Sequence, residues 1–303
     1  MILYQNWTIS ENCIPKIKII SENVFSKILL KFNESLELNY KNYDPWMIPA
    51  LSEERFIQLI NKNNKSIIED SENNIMLINK IFFNISIEEE NKIKFEKYFG
   101  IPVNYFRLEN NEKITFKFKN MFEKSLEIIS IICPWIKNLY NLLVKKVYFL
   151  EPEIKNIKAM STHFLKGAII FRASNSNSII DCINLAVDIV HEIGHQVLMH
   201  YLTADRIILS SYNQLIFSGA KNADRPAIKS LHSAIALTYM IYFLNNLNNI
   251  RNIIYFEDFK IFEIKRDKFK MQLEKNLNSL LKNCKFTNLG EIIITEIYSY
   301  NNI

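Results

Sequence analysis

Five glycines and seven prolines among 303 residues leave few chain-reversing positions. A β-sandwich or β-barrel needs a tight turn roughly every ten residues, so these classes are excluded and helix is expected to dominate. Cysteine is equally sparse. Cys13, Cys133, Cys182 and Cys284 stand far apart and form no Cys-x-x-Cys pair, which excludes a zinc ribbon and a dense disulfide framework and leaves reduced, buried thiols. Charge of one sign is not blocked together. The 37 basic residues are interleaved with 32 acidic ones, so the net charge of +5 does not make a nucleic-acid footprint. The longest apolar runs, around Ile128 to Ile136 and Ala234 to Leu244, fall short of the roughly 18 to 20 residues that cross a bilayer. The opening MILYQNWTISENCIPK lacks the charged flank, apolar segment and cleavage site of a secretory signal. The expectation is a cytoplasmic protein with neither nucleic acid nor membrane as partner.

What is present is apolar mass. With 49% hydrophobic and 13% aromatic residues the chain can bury one large core or two modest ones. Apolar spacing predicts amphipathic helices over 51–63 and 91–99, with a turn at 61–64. A further helix is expected from Phe118 to about Leu143, kinked or ended at Pro134. A strand follows at Lys146 to Leu150. Lys166 and Gly167 read as a turn into a short buried strand, Ala168 to Arg172, closed by a polar loop. Ser178 then opens a long helix to about Leu202, striped by Ile179, Ile183, Ala186, Val187, Val190 and Ile193. Pro226 suits the first position of a second apolar helix running to Leu247, with Arg225 or Asp224 as its cap. A charged helix from about Asp258 to Lys282 and a short one from Asn288 to Tyr298 end the chain. The fold class expected is mainly α with a small β element (α+β), its chemistry held on two facing helices and not in a double-stranded β-helix. Residues 1–117 are assigned to a mostly helical N-terminal region and 118–303 to a catalytic domain.

Chemistry concentrates at His191-Glu192-Ile193-Gly194-His195. Residues four apart on a helix point the same way, so His191 and His195 can share one metal ion with Glu192 beside it. The competing reading is a helix that carries two histidines by chance, but the chain has only five and spends two at ligand spacing. Two ligands rarely suffice, so a third is required. His200 is about half a turn around the helix from His191. The metzincin spacing is not met, because Leu198 and Tyr201 stand where Gly and His are needed. A thermolysin-like glutamate is missing as well: between Gln196 and Arg251 there is no glutamate, and only Asp205 and Asp224 are acidic. His232, two turns into the second apolar helix, is the candidate third ligand, the alternative being a hydrogen-bonded core histidine.

Other residues are placed by spacing. Arg225, seven before His232, shares its azimuth if the helix extends that far, and its guanidinium can clamp a carboxylate at two points; a solvated residue at the helix start is the alternative. Lys229 offers the same charge. Tyr239 reads as core, His163 as a loop residue, and Asp188 either as an acceptor that orients a histidine or as part of a solvated face.

Ser161-Thr162 before a Gly-Ala-Ile-Ile strand, then Val190-His191-Glu192-Ile193-Gly194-His195, then Asp224-Arg225-Pro226 leading to Leu231-His232, resembles the HExxH-motif peptide-modification family. The resemblance covers roughly residues 160 to 250, with a weaker echo at Thr287-Asn-Leu-Gly-Glu. This chain departs from the family in its polar Gln196 and Lys229. The family consists of iron(II)- and 2-oxoglutarate-dependent β-hydroxylases of ribosomally made peptides. It implies that His191, His195 and His232 hold Fe(II), that Arg225 binds 2-oxoglutarate, and that the partner is a ribosomal precursor peptide.

Three imidazoles leave positions open on an iron ion for a bidentate oxo-acid and dioxygen, with Glu192 as an orienting group. The same residues suit a zinc metallopeptidase with Glu192 as general base. A non-enzymatic interaction protein with a vestigial site is the third reading. For the peptide, an added strand beside Ala168 to Arg172 is expected if that strand is an edge.

Overall fold

Among the described residues, helical periodicity in the sequence becomes helix where it was legible. The computed structural model describes residues 7–25, 112–144, 146–150, 158–162, 167–172, 178–253 and 256–301. The expected helices at 51–63 and 91–99, the turn at 61–64, and His163 lie outside them.

Near the N-terminus, α1 (Cys13–Ile20) runs into a π-helical turn, Ser21–Phe25. Next come α2 (Glu112–Ile132) and α3 (Pro134–Leu143), parted at Cys133. Pro134 has no N–H to give to a continuing helix, so it starts the next one instead. Three short strands follow: β1 (Lys146–Leu150), β2 (Ala159–Ser161) and β3 (Ala168–Arg172). Then come α4 (Ile179–Ala204), the hairpin of β4 (Leu215–Ser218) and β5 (Ala223–Pro226), and α5 (Ala227–Asn245). A 3₁₀ segment, Leu247–Ile253, leads to α6 (Phe256–Asn283) and α7 (Asn288–Asn301). The fold is mainly α with a small β element.

The chain divides into two compact units that interleave in sequence. One gathers Met1–Lys18, Phe122–Asn141 and Ser178–Ile303, the other Ile19–Met121 and Leu142–Asn177. This differs from a single cut between 117 and 118. The reason is visible at the extreme N-terminus, where the Trp7 and Thr8 amides bond to the Glu296 carboxylate at 2.9 to 3.0 Å.

In the second unit the strands form one mixed sheet in the order β1-β3-β2. Lys146 pairs with Ala168 in parallel, and Ala159 with Phe171 antiparallel. β3 is therefore the central strand, and its Ala168 to Phe171 are buried. This corrects the expectation of an edge at 168–172: both sides of β3 already carry ladder hydrogen bonds, so no peptide can add there. Gly167, at φ 79°, makes the left-handed turn that feeds it.

The first unit is built around α4 and α5. Ser178 caps α4, its Oγ accepting from the Asp181 N–H at 3.1 Å. On α5 the residues from Ala234 to Ile241 are all buried, so this helix is apolar on every side. Its 19 residues are enough in length and composition to cross a membrane, but the helix is mostly buried inside the protein. It is the core helix. α4 and α5 meet at Gly194, where an added Cβ would lie 3.1 Å from the Ala236 Cα. Ala236 follows His232 by one turn, and Gly194 precedes His195, so this contact sets the two histidines side by side.

Two outcomes follow. Gly194→Val forces a branched side chain against the α5 backbone and is expected to cost about 1–3 kcal/mol in urea unfolding. All four cysteines are free and buried, with the Cys13 and Cys133 thiols pushed up to about 12 by burial. They are expected to resist iodoacetamide at pH 8 in the native protein and to react on unfolding, as counted by mass spectrometry.

Candidate metal centre

His191 and His195 project from one face of α4, four residues apart, as the helical repeat requires. Their rings are 4.5 Å apart and nearly perpendicular, and their Nε2 atoms face each other at 2.9 Å. Two nitrogens each about 2.1 Å from one ion stand about 3.0 Å apart at a right angle and about 3.4 Å apart at a tetrahedral angle. The observed spacing fits the right angle. Glu192 is buried, with Oε1 3.9 Å from the His191 Nε2. Candidate ligand atoms of His191, Glu192 and His195 all lie within 4.8 Å of one another.

His232 arrives from α5. Its ring centroid is 5.3 Å from that of His195, and its Nδ1 lies 3.3 Å from the His195 Nδ1. The structure thus brings the third imidazole to the pair, but against the opposite nitrogen of His195 from the one facing His191. A neutral imidazole with its proton on Nδ1 leaves Nε2 as a bare lone pair. With His195 in that tautomer, its Nδ1–H donates to His232 and its Nε2 is free toward His191, the usual arrangement of a ligating histidine held by an acceptor behind it.

Electrostatics favour neutral rings. About a third of the His191 side chain reaches solvent (33%), yet its enclosure still pushes its pKa down to about 4, with the Lys221 charge adding to the effect. His195 is held well below its usual value by burial first, then by His191 and His232. Lone pairs rather than protons are therefore available at neutral pH, as ligation requires.

The other candidates fall as follows. Arg225 is half-buried in β5, paired with Ile216, and the helix begins only at Ala227 after an extended Pro226 (ψ 135°). The helical azimuth that linked Arg225 to His232 therefore does not exist, and neither Asp224 nor Arg225 caps α5. Lys229 is exposed in the first turn of α5, and Asp188 is half-buried on α4. His200 is fully buried, with its Nδ1 2.8 Å from the Gln196 carbonyl oxygen. Tyr239 is core: its hydroxyl donates to the Thr8 carbonyl at 2.7 Å.

Lys221 was not singled out from sequence. It sits in the four-residue turn between β4 and β5. Gly219 N–H donates to the buried Asn276 Oδ1 on α6 at 2.5 Å, and Asn222 adopts φ 52°. The signal was turn chemistry, Ser-Gly-Ala-Lys-Asn, which marks a hairpin and fixes where its lysine goes. No known family model matches the chain, and no curated protein matches it.

The geometry generates one measurement. His195→Ala is expected to abolish binding of Co(II), used as a spectroscopic stand-in, in calorimetric titration. His232→Ala is expected to weaken it by about 10- to 100-fold.

Proposed function

We propose that this protein is an iron(II)- and 2-oxoglutarate-dependent hydroxylase acting on a side chain of a ribosomally made precursor peptide. The observation that carries the reading is the third imidazole. The neighbouring helix offers His232 to the His191–His195 pair, while no glutamate occurs from Gln196 to Arg251.

The residues fit such an ion. His191 and His195 present two neutral nitrogens at near right-angle spacing, which suits six coordination and leaves sites for small molecules. His232 either steadies His195 through Nδ1 or, after a turn of its ring, becomes a ligand itself. When bound, the iron and 2-oxoglutarate supply the oxidising power: one oxygen atom of O₂ enters a substrate C–H bond, the other enters succinate, and CO₂ leaves. An oxo-acid brings two carboxylates to a centre whose histidines are uncharged. The Lys221 charge is felt at His191 and Arg225 stands on the strand that leads into α5, and these are the cations that would face the carboxylates of the oxo-acid. Glu192, buried beside His191, orients groups bound there. Four reduced thiols suit the cytoplasm.

A zinc metallopeptidase is the second reading, and one observation favours it. The Glu192 carboxylate lies 3.9 Å from the His191 Nε2, where it can take a proton from a bound water.

The test is anaerobic reconstitution with Fe(II), followed by O₂, 2-oxoglutarate and the precursor peptide. Succinate and a peptide heavier by one oxygen are the expected products, and Arg225→Ala is expected to raise the KM for 2-oxoglutarate. Cleaved peptide formed without 2-oxoglutarate, and lost in Glu192→Gln, would replace this reading with the zinc one.

A further inference from the structure

A second constellation joins the two histidine-bearing helices, and the chemistry described above does not use it. Trp7 and Thr8, within the first unit, have four backbone groups taken by side chains from three helices. The Glu296 carboxylate on α7 accepts from both amides and from the Thr8 Oγ1, the last at 2.9 Å. Tyr201 on α4 donates to the Trp7 carbonyl, and Tyr239 on α5 donates to the Thr8 carbonyl at 2.7 Å. The indole packs edge-on to the Tyr201 ring at 5.6 Å, with Lys16 Nζ 4.8 Å from its centroid.

The placement of these bonds relative to the histidines is informative. Tyr201 is six residues beyond His195 and Tyr239 is seven beyond His232, about 9 and 10.5 Å along their helices. The two carbonyls of this one dipeptide are held by different helices, Trp7 by α4 and Thr8 by α5. The spacing between α4 and α5 is thus set at two levels: by the Gly194–Ala236 contact near the histidines, and by the Trp7–Thr8 segment, about two turns beyond Gly194 on α4 and just under one turn beyond Ala236 on α5. A hydroxyl lost at the second level lets the helices rotate about the first. That rotation acts directly on the 3.3 Å approach between the His195 and His232 nitrogens.

We propose that the Trp7–Thr8 segment is a positioning strap for the histidine centre, with Tyr201, Tyr239 and Glu296 as positioning residues that fix the His195–His232 geometry. In its bearing on catalysis the inference rests on the metal reading, but its geometric content does not. Both phenols remain protonated donors, because burial holds their pKa values far above the usual range.

The experiment compares the wild type with Tyr201→Phe/Tyr239→Phe, which removes only hydroxyls. Leu277→Ala on α6 serves as a control that lowers stability away from the strap. Imidazole ¹⁵N shifts are read in the metal-free protein, and Co(II) affinity is then titrated. The strap variant is expected to move the His195 and His232 resonances and to weaken Co(II) binding about tenfold, while the control leaves both as in the wild type. If the strap variant keeps wild-type shifts and affinity, or the control moves them equally, the proposal is overturned. If the shifts move in the strap variant but the wild type itself binds no Co(II), the positioning inference stands and the metal reading falls. Should the double variant not fold, Glu296→Gln, which leaves both phenols in place, gives the same comparison.

Discussion

The close contact of Gly194 with the backbone at Ala236 is the constraint from which the centre follows. Two helices can approach this tightly only where one lacks a side chain, and the motif puts that residue immediately before its second histidine. The partner helix contributes Ala236, one turn after His232. Small residues at the crossing and polar rings one position away on α4 and one turn away on α5 therefore belong to a single arrangement. Without the first, the second could not form.

Around that crossing the protein accumulates positive or uncharged groups and few negative ones. Two imidazoles are kept neutral by their surroundings, Lys221 adds charge from the hairpin tip, and Glu192 is the buried carboxylate within reach. Such a centre is short of the anionic ligands that usually balance a divalent ion. The hairpin is not free to drift from this role. Its Gly219 is seated on α6, where an added Cβ would fall 2.4 Å from the Gln272 carbonyl oxygen.

Much of this was legible in the sequence, and the failures have physical causes. Period-3.6 patterns located α4, α5, α6 and α7 within a few residues, and Pro134 marked the α2–α3 break, because these signals are local. The strand at Ala168 to Arg172 was also legible, yet its central position was not, since pairing partners are a non-local fact. Arg225 was misplaced for a similar reason. Asp-Arg-Pro reads as a helix start when proline is taken as the first helical residue, but β5 extends through Pro226 by pairing with Leu215. His232 was singled out by exclusion, from scarcity of carboxylates and of histidines, and the structure places it beside His195. Which nitrogen of His195 it meets depends on the helix crossing and has no sequence signature. Nothing in Trp7 or Thr8 announced that three distant helices would bind their backbone.

That last feature has a consequence for biosynthesis. Thr8 leaves the ribosome 288 positions before Glu296, to which it bonds. At about 5–20 residues per second the gap is roughly a quarter of a minute to a minute. Throughout that interval the Trp7–Thr8 segment lacks its carboxylate partner, which arrives only with α7. The protein therefore joins segments 288 positions apart only once α7 has been made, and a nascent chain halted before α7 would carry the two histidine-bearing helices without the carboxylate that holds Trp7 and Thr8.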